Sequence, residues 1–390
     1  MKSEWITKPL GELTSYMSKG IPPKYSNAEN NTTIRVLNQK CNRDFKISYE
    51  YSRLHDLSKK SVPKEKLLRA GDVLINSTGA GTAGRVAQLF EVPCLTTIDG
   101  HMILLRPTSE IEAYYYGYAI KSFQKQIELL AEGSTGQTEI NRKRLCDEIE
   151  ITFPIDLNLQ RQISSIFFAI DEKISTNTKI NENLEQQAQA IFKSWFVDFE
   201  PFGGVMPTDW EVSSLGKVSN MGAGGDKPQN TTSTPTSENV VPIYSNGLTN
   251  EGLYGFTDNA KIEVESVTVS ARGTIGYVCL RQVPYVPIVR LITLIPNVEI
   301  VSAKYLYHWL KTLHIAGTGT TQQQLTVPSF KKTEILVPDS STMKHFTETV
   351  NPFYSVILSN KHENHRLTNL RDTLLPKLLS GEIDVSEVQI

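Results

Sequence analysis

The chain has 390 residues, of which 39% are hydrophobic, and its charge is nearly balanced, with 40 Lys plus Arg against 42 Asp plus Glu. This length predicts two or three domains, and the balanced charge means that any DNA-binding prediction has to rest on local clusters of residues. No long apolar stretch, no signal-like start and no cysteine pair at zinc spacing is present, so membrane spanning, secretion and structural zinc are disfavoured, and a cytoplasmic location is expected.

The first predicted element is a lobe, residues 1–155, whose landmarks return in a second lobe, residues 201–338. The segment WITKPLGEL at 5–13 returns as WEVSSLGKV at 210–218, with Trp, Leu, Gly and the last apolar residue in register. An internal repeat of this length indicates that the chain contains two copies of one structural unit.

Each lobe contains a glycine-rich segment between two strand-like runs. DVLINSTGAGTAGRV at 72–86 has a shorter counterpart in SVTVSARGTIGYV at 266–278. The first copy formally matches the G-x-G-x-x-G pattern of dinucleotide sites, but the residues that follow favour a strand and not the helix that such a site needs. We therefore predict hairpins whose tips approach the backbone of a partner.

The rest of each lobe mixes helical and strand patterns. Helices are predicted around 114–130 and 305–311, and short β-rich runs such as 287–295 favour curled sheets. The expected fold class is α+β, with two pseudo-repeated mixed α/β lobes and two long helices.

Each lobe is followed by a helical region, residues 156–200 and 339–390, with apolar residues in heptad steps. This spacing predicts a coiled-coil seam. A shift of 183 positions converts the first seam into the second, and both have Asn at the same two places. The first seam is Ile163, Phe167, Ile170, Ile174, Asn177, Asn181, Leu184, Ala188, Ile191 and Trp195, and the second is Phe346, Val350, Phe353, Ile357, Asn360, Asn364, Leu367, Arg371, Leu374 and Leu378.

Asparagine at a seam position costs stability and is best explained as fixing the register of the helices. Antiparallel packing, which we predict, would face Asn177 against Asn364 and Asn181 against Asn360. Parallel packing would align Asn177 with Asn360. Two unrelated surface helices with polar interruptions are the alternative interpretation.

Several motifs that could perform chemistry are incomplete. Asn351-Pro-Phe-Tyr354 is similar to the Asn-Pro-Pro-Tyr/Phe motif of amino-methyltransferases, but it lacks the second proline and lies inside the second seam. There is no P-loop pattern, and His362 and His365 have no third metal ligand nearby in sequence. We predict no catalytic residue, no metal site and no cofactor in this chain.

Polar loops in both lobes supply donors and acceptors that suit base edges and phosphates, because Gln and Asn can bind adenine while Arg and Lys bind guanine or phosphate. Ordinary solvated loops are the alternative for any single residue. In the first lobe the predicted DNA contacts are Lys19, Lys24, Lys40, Arg43, Ser77, Arg85, His101, Ser134, Thr135, Gln137, Asn141, Arg142 and Lys143. In the second lobe they are Lys227, Asn246, Ser270, Arg272, Tyr277, Gln322, Gln323, Gln324 and Lys331.

Over nearly its whole length the chain resembles the specificity subunits of Type I restriction-modification systems. The likeness lies in the order of four features: the Trp and Leu-Gly starts, the Gly-Thr-x-Gly turns at 81–84 and 273–276, the Gln loops, and the two helical tails. The tails are IFKSWFVDF at 191–199 and LLPKLLSGEI at 374–383.

The resemblance implies a non-enzymatic adaptor. Each lobe would be a target-recognition domain that reads half of a gapped site in double-stranded DNA, and the helices would set the gap. The implied partners are two copies of a methyltransferase subunit and a restriction subunit, which would hold S-adenosylmethionine, ATP and magnesium. The alternatives are a protein-protein scaffold without DNA readout and a solitary DNA methyltransferase or nuclease.

Overall fold

A computed structural model describes residues 4–133, 138–316 and 324–385. The chain folds into two compact units: unit 1 consists of Met1–Ser175 and Asn364–Ile390, and unit 2 of Thr176–Glu363. Each is built around its own apolar core. Among the described residues, no helix combines the length and apolar character that a membrane span requires.

The lobe of unit 1 is strand-rich, and a long helix follows it. Its strands are β1 (Trp5–Pro9), β2 (Thr14–Lys19), β3 (Tyr25–Ser26), β4 (Thr33–Leu37), β5 (Asn42–Arg43), β6 (Lys46–Ile47), β7 (Arg53–Asp56), β8 (Val73–Asn76), β9 (Val86–Gln88), β10 (Thr96–Ile98), β11 (Met102–Pro107), β12 (Ala131–Glu132), β13 (Glu139–Ile140) and β14 (Glu150–Pro154). Its helices are α1 (Ala113–Ser122), α2 (Gln124–Leu129) and α3 (Arg142–Glu148), with 3-10 turns at Tyr49–Tyr51 and Lys64–Lys66. The long helix α4 (Leu157–Phe196) begins in unit 1 and ends in unit 2.

Two four-stranded sheets form the centre of this lobe, in the orders β2-β11-β8-β9 and β10-β4-β7-β3. The first sheet is antiparallel, and its β8 lies against β9 with Ile75 opposite Val86. In the second, β10 is parallel to β4. Strands β1 and β14 pair with Trp5 opposite Pro154, so the ends of the lobe lie side by side.

Unit 2 repeats this plan with shorter connections. Its strands are β15 (Glu211–Ser214), β16 (Ser219–Ala223), β17 (Val241–Tyr244), β18 (Leu253–Thr257), β19 (Ser266–Val269), β20 (Val278–Arg281), β21 (Val286–Pro287), β22 (Ile292–Pro296) and β23 (Glu334–Val337). Its helices are α5 (Leu215–Val218), α6 (Ala303–Thr312) and α7 (Val327–Phe330), with 3-10 turns at Glu200–Phe202 and Thr249–Gly252; α8 (Ser340–Leu379) follows.

The sheets of the two units share most of their strand order, although the second sheet has four strands in unit 1 and three, β18-β17-β21, in unit 2. The order β16-β22-β19-β20 matches β2-β11-β8-β9, and β15 with β23 matches β1 with β14. In the second sheet, β21 is parallel to β17 as β10 is to β4. The repeat seen in the sequence is therefore a repeat of topology, and the predicted mixed α/β fold is confirmed.

Both predicted glycine-rich hairpins are present. Strands β8 and β9 are antiparallel, as are β19 and β20, and the glycines lie in the turns between them. A strand and not a helix follows each turn, which is why the G-x-G-x-x-G match does not form a dinucleotide site. The predicted helix around 114–130 forms as two helices, α1 and α2, with a break at Phe123.

Hydrogen bonds between α4 and α8 show that the two long helices are antiparallel. In unit 2, Asn360 Nδ2 donates to Asn181 Oδ1 at 2.9 Å and Asn177 Nδ2 donates to Glu363 Oε2 at 2.7 Å. In unit 1, Arg371 Nη1 donates to Asp171 Oδ1 at 2.7 Å. Because rising residue numbers on α4 meet falling numbers on α8, the predicted antiparallel direction is confirmed.

The seam shifts toward the end of α4. Ile163, Phe167 and Ile170 are buried as the heptad pattern predicts, but the fully buried residues near the end of the helix are Phe192 and Phe196. The predicted seam residues beside them, Ile191 and Trp195, are only partly buried. This part of the helix also packs against the lobe of unit 2, where the Tyr305 ring contacts both phenylalanine rings. Burial therefore follows two contact faces of the helix instead of one.

Candidate nucleic-acid interface

A basic cleft of about 820 Å³ opens beside the glycine-rich hairpin of unit 1. Four basic side chains line it, those of Lys40, Arg43, Arg53 and Arg85, together with the acidic residue Asp99. The loop after β4 supplies Lys40, β5 supplies Arg43, β7 supplies Arg53 and the hairpin turn supplies Arg85. Elements far apart in sequence therefore concentrate positive charge in one place, as phosphate and guanine recognition require.

Aromatic and amide groups accompany these charges. The Arg53 guanidinium stacks on the Tyr25 ring, with Cζ 3.3 Å from the ring centroid, and the side chain of Tyr51 lines the same cleft while half exposed. Gln39 is also part of the lining, and its Oε1 accepts a hydrogen bond from Thr82 Oγ1 at 3.1 Å. Stacked Arg and amide side chains are groups that proteins use for base edges.

Asp99 lies at the base of the cleft and is only 4% exposed. Burial raises the pKa of its carboxyl group, while the His101 backbone N–H, which donates to Oδ1 at 2.9 Å, and the charge of Arg53 act in the opposite direction. Its placement leaves the basic side chains as the dominant charge at the opening.

A second pocket of about 400 Å³ adjoins the first, since Gln39 and Gly79 line both. It contains two predicted residues, Lys19 and His101. The Lys19 ammonium forms an ion pair with Glu139, and the His101 Nδ1 atom lies 2.9 Å from Thr78 Oγ1.

The remaining predicted residues of the first lobe are dispersed. Lys24, Arg142 and Lys143 are exposed, the last two in the first turn of α3. Asn141 is the N-cap of this helix, because its Oδ1 accepts from the backbone N–H groups of Lys143 and Arg144 at 3.1 and 3.2 Å. Ser77 is fully buried at the end of β8, so its hydroxyl does not face solvent.

In unit 2, Arg272 projects from the hairpin tip. It is exposed, and its Nη2 donates to Gln324 Oε1 at 3.2 Å, which joins two predicted residues. Lys227 is also exposed and its Nζ lies 5.4 Å from the centroid of the Tyr254 ring. Ser270 is only 1% exposed, so its hydroxyl, like that of Ser77, is withdrawn from the surface.

The other predicted residues of this lobe have structural contacts. Asn246 binds two backbone groups of neighbouring loops. Tyr277 lines a crevice of about 340 Å³ that also contains Glu251, and burial raises the pKa of its hydroxyl. Lys331 is exposed at the end of α7, and its carbonyl accepts from the Gly216 N–H at 3.0 Å.

Five predicted residues lie outside the described part of the chain: Ser134, Thr135, Gln137, Gln322 and Gln323. Conversely, Gln39, Tyr51 and Arg53 line the cleft but were not predicted from the sequence. The tyrosines at 49 and 51 beside Arg53 were the available signal, since aromatic and basic residues interleave there. Within residues 4–133, 138–316 and 324–385, no group of three or more His, Cys, Asp or Glu side chains could hold a metal ion.

The sequence model of the Type I restriction modification DNA specificity domain matches residues 2–186 and 207–369. The Type I restriction enzyme HindI specificity subunit of Haemophilus influenzae is 24% identical over 470 aligned positions, which cover 98% of this chain and 100% of the relative. The MjaIX specificity subunit of Methanocaldococcus jannaschii is 26% identical over 323 positions, with 75% and 74% covered.

A solved structure is similar to the chain in fold. The crystal structure of the S subunit of a Type I restriction-modification system from M. genitalium has a TM-score of 0.61 and 18% sequence identity, and the alignment covers 97% of this chain and 96% of that one.

Proposed function

We propose that this chain, which belongs to the family of Type I restriction-modification DNA specificity subunits, reads a two-part DNA site with one target-recognition domain in each lobe. The family membership confirms the predicted resemblance, since the matched ranges cover most of the chain. Members of this family recognise DNA sequence for a restriction-modification complex and are not its catalytic subunits. Residues 1–155 and 201–338 would be the two recognition domains.

The observation that carries this proposal is the duplicated hairpin frame with basic and amide side chains around it. In unit 1 the hairpin borders the cleft that contains Arg43 and Arg53, and in unit 2 the tip presents Arg272 beside Gln324. Such groups bind guanine, adenine and phosphate oxygens. The basic clusters also explain how a chain of balanced charge would attract DNA locally.

The long helices would set the gap between the half-sites. Each has 40 residues, so each extends over about 60 Å at a rise of about 1.5 Å per residue. The seam asparagines Asn177, Asn181, Asn360 and Asn364 would fix the register. Two copies of similar helical regions would recruit two methyltransferase subunits around an approximate two-fold axis.

The partner subunits would carry out the methylation and cleavage reactions. S-adenosylmethionine would bind to the methyltransferase subunits. ATP and magnesium would also bind to partner subunits, in the complex that forms when a restriction subunit joins for cleavage. The complex would act on double-stranded DNA in the cytoplasm. This chain would contribute only recognition and geometry.

Methylation mapping by single-molecule sequencing tests the proposal. Cells would carry the partner methyltransferase with either the intact chain or one of three variants: Arg43→Gln with Arg53→Gln, Arg272→Gln, or Lys64→Gln as an exposed control outside both pockets. We expect the intact chain and the control to direct methylation to a gapped two-part site, and each arginine variant to weaken or relax one half of it.

A change of roughly tenfold or more at one half-site is expected, because a bidentate base contact is worth about 1–3 kcal/mol. If all four proteins methylate the same site equally, these side chains do not read DNA. If the intact chain directs no site-specific methylation at all, a scaffold without DNA readout becomes the better assignment.

A further inference from the structure

Asn246, predicted above as a base-reading residue, has both of its polar side-chain atoms bound to backbone. It lies two residues after β17. Its Oδ1 accepts a hydrogen bond from the Ala271 N–H at 2.7 Å, and its Nδ2 donates to the Val289 carbonyl at 2.7 Å. Since Ala271 directly precedes Arg272 at the hairpin tip, Asn246 fixes the backbone from which that arginine projects.

The second loop that Asn246 holds is strained. Val289 and Arg290 have φ angles of 53° and 60°, in the left-handed region that β-branched and bulky residues rarely adopt. Their N–H groups donate to the carbonyls of Gly225 and Gly224, both at 2.9 Å. Such a turn persists only where its surroundings determine it fully. Asn246 therefore joins the hairpin tip to a turn that is itself held rigidly.

The base of the same hairpin is held by the end of the same loop. Arg281, the last residue of β20, donates from Nη2 to the Glu251 carbonyl at 2.7 Å and from Nε to Thr268 Oγ1 at 2.9 Å. The loop that follows β17 thus contacts the hairpin at its tip through Asn246 and at its base through Glu251.

Unit 1 has an amide at the corresponding place. Gln39 lies two residues after β4, the strand that matches β17. Its Oε1 accepts from Thr82 Oγ1 in the hairpin turn, and its carbonyl accepts from Asn76 Nδ2 at 3.2 Å. A Cβ atom at Gly79 would lie 2.1 Å from Gln39 Oε1, so glycine in the turn is what lets this amide approach.

We propose that Asn246 and Gln39 are positioning residues, each of which clamps the glycine-rich hairpin of its own lobe so that the hairpin presents its arginine, Arg272 or Arg85, to DNA. This inference rests on the proposed function and reassigns Asn246 from reading a base. The fold engages both polar atoms of Asn246 and so fixes the orientation of its amide, which leaves only the second N–H and the second lone pair for a bidentate contact with adenine.

Hydrogen exchange of the full chain tests the clamp without DNA. Asn246→Ala removes the acceptor of the Ala271 N–H, whereas Asn246→Asp keeps an acceptor there. We expect the Ala271 amide to exchange about tenfold faster in N246A and within about twofold of the original rate in N246D, as loss of one hydrogen bond implies. Equal exchange in N246A and the unmodified chain would overturn the clamp.

Gln39→Ala and Gln39→Glu form the matched pair in unit 1, with exchange of the hairpin turn at 78–85 as the measurement. This pair decides the matter if N246A does not fold. Faster exchange in Q39A that Q39E restores supports the clamp, and unchanged exchange in Q39A contradicts it.

Methylation mapping with the partner methyltransferase separates positioning from base reading. Loss of the clamp in N246A should lower methylation of the mapped site by about tenfold while the base preference at each position stays the same. Relaxed preference at a single base pair, with hairpin exchange unchanged, would instead make Asn246 a reader. If even the unmodified chain directs no methylation, the proposed function fails, and the exchange data still decide the clamp.

Discussion

The glycine-rich hairpin of unit 1 borders a cleft of about 820 Å³ with four basic side chains, whereas the hairpin of unit 2 adjoins a crevice of about 340 Å³. In that crevice Lys311 pairs with Glu185 and Lys361 with Glu251, both at 2.6 Å, so its positive charge is largely neutralised. The four-stranded sheets that contain these hairpins, β2-β11-β8-β9 and β16-β22-β19-β20, have the same strand order. One frame therefore supports two different surfaces, as two unlike half-sites would require.

The frames themselves differ at a pair of residues on two neighbouring strands. In unit 1, Arg106 and Asp72 are 5% and 1% exposed and form two hydrogen bonds, with Nε to Oδ1 at 2.7 Å and Nη2 to Oδ2 at 3.0 Å. The registers of β8 with β11 and of β19 with β22 place Ser266 and Ile295 at the matching positions of unit 2. There the buried Ser266 hydroxyl bonds with Tyr285 Oη at 2.9 Å instead.

The largest expected effect follows from this difference. Arg106→Ala should reduce the free energy of unfolding of unit 1 by about 3–5 kcal/mol, because it leaves the Asp72 charge buried without its partner. Tyr285→Phe should cost unit 2 only about 1–2 kcal/mol, for neutral hydrogen bonds with the Ser266 and Thr293 hydroxyls. Urea unfolding followed by hydrogen exchange, resolved to peptides of each unit, measures both, with Lys64→Ala as an exposed control. Equal losses for both variants would contradict the comparison.

The glycines of the two hairpins should behave alike in both units. Gly84 and Gly276 have φ angles of 85° and 86°, and an added Cβ would lie 2.7 Å from Glu128 Cα and 2.8 Å from the Ile315 carbonyl oxygen, respectively. Alanine at either position should cost about 2–4 kcal/mol, from left-handed strain plus overpacking against backbone.

Gly81 and Gly273 are the matched controls. Both have φ of 68°, and an added Cβ would meet nothing within 4 Å. Alanine there should cost only about 1 kcal/mol, from strain alone. Thermal unfolding of the four variants gives the ranking. A loss at Gly276 no greater than that at Gly273 would mean that the turn of unit 2 can move away from Ile315.

Acid should weaken unit 2 through His308, a position that tyrosine occupies in unit 1. Burial lowers the pKa of His308 to about 3, with the nearby Lys311 charge acting in the same direction. Its ring nitrogens Nδ1 and Nε2 lie 2.7 Å from Gln189 Oε1 and 2.8 Å from Tyr354 Oη. The matching residue of unit 1 is Tyr118, whose hydroxyl donates to Asp171 Oδ2 at 2.9 Å and whose pKa is raised by burial.

The sign follows from proton linkage. Between pH 6.5 and pH 3 the unfolded chain binds a proton at His308 that the folded chain does not, so stability is complete above pH 6.5 and is lost as the pH falls. The loss should reach about 2 kcal/mol at pH 5. Tryptophan fluorescence during urea unfolding reports mainly on unit 2, which contains Trp195, Trp210 and Trp309, whereas the fourth tryptophan, Trp5, lies in unit 1. His308→Gln should remove this part of the pH dependence, and an unchanged slope would contradict the assignment.

Local periodicity explains which features the sequence could predict. The heptad run from Ile163 to Trp195 lies inside the observed helix at 157–196, and the glycine turns form hairpins as predicted, because short-range patterns determine both. The cleft of unit 1 could not be found this way. Arg53 joins it only because β7 pairs with β4, which in turn pairs with β10, a strand about 60 positions further along the chain.

The burial of side chains at strand ends could not be predicted from the sequence either. Ser77 and Ser270 stand in polar, glycine-rich runs that resemble solvated loops, yet both are at most 1% exposed. The sheet order buries both sites, and that order depends on pairing between distant strands. For the same reason Asn246 could be predicted as a polar loop residue but not as a link between two loops.

The smallest expected effect concerns the coiled-coil seam, where the two units again differ. Unit 1 joins α4 to α8 by a charged pair, Asp171 with Arg371, and unit 2 by an amide pair, Asn181 with Asn360. Asn181→Leu alone should cost unit 2 about 1 kcal/mol, because the Asn360 amide loses its partner in a partly buried position. The double variant Asn181→Leu with Asn360→Leu should recover this loss or slightly exceed the original stability, since leucine suits a seam better than asparagine.

If the asparagines specify the register of α4 against α8, the double variant should nevertheless populate more than one register. Cysteine pairs placed across the α4 and α8 segments of unit 2, one in the observed register and one shifted by a heptad, measure this by disulfide trapping. We expect only the first pair to form in the original chain and both to form in the double leucine variant. If the double variant keeps the observed register alone, the packing of the lobe on the helices determines their alignment, and the amide pair contributes stability without specificity.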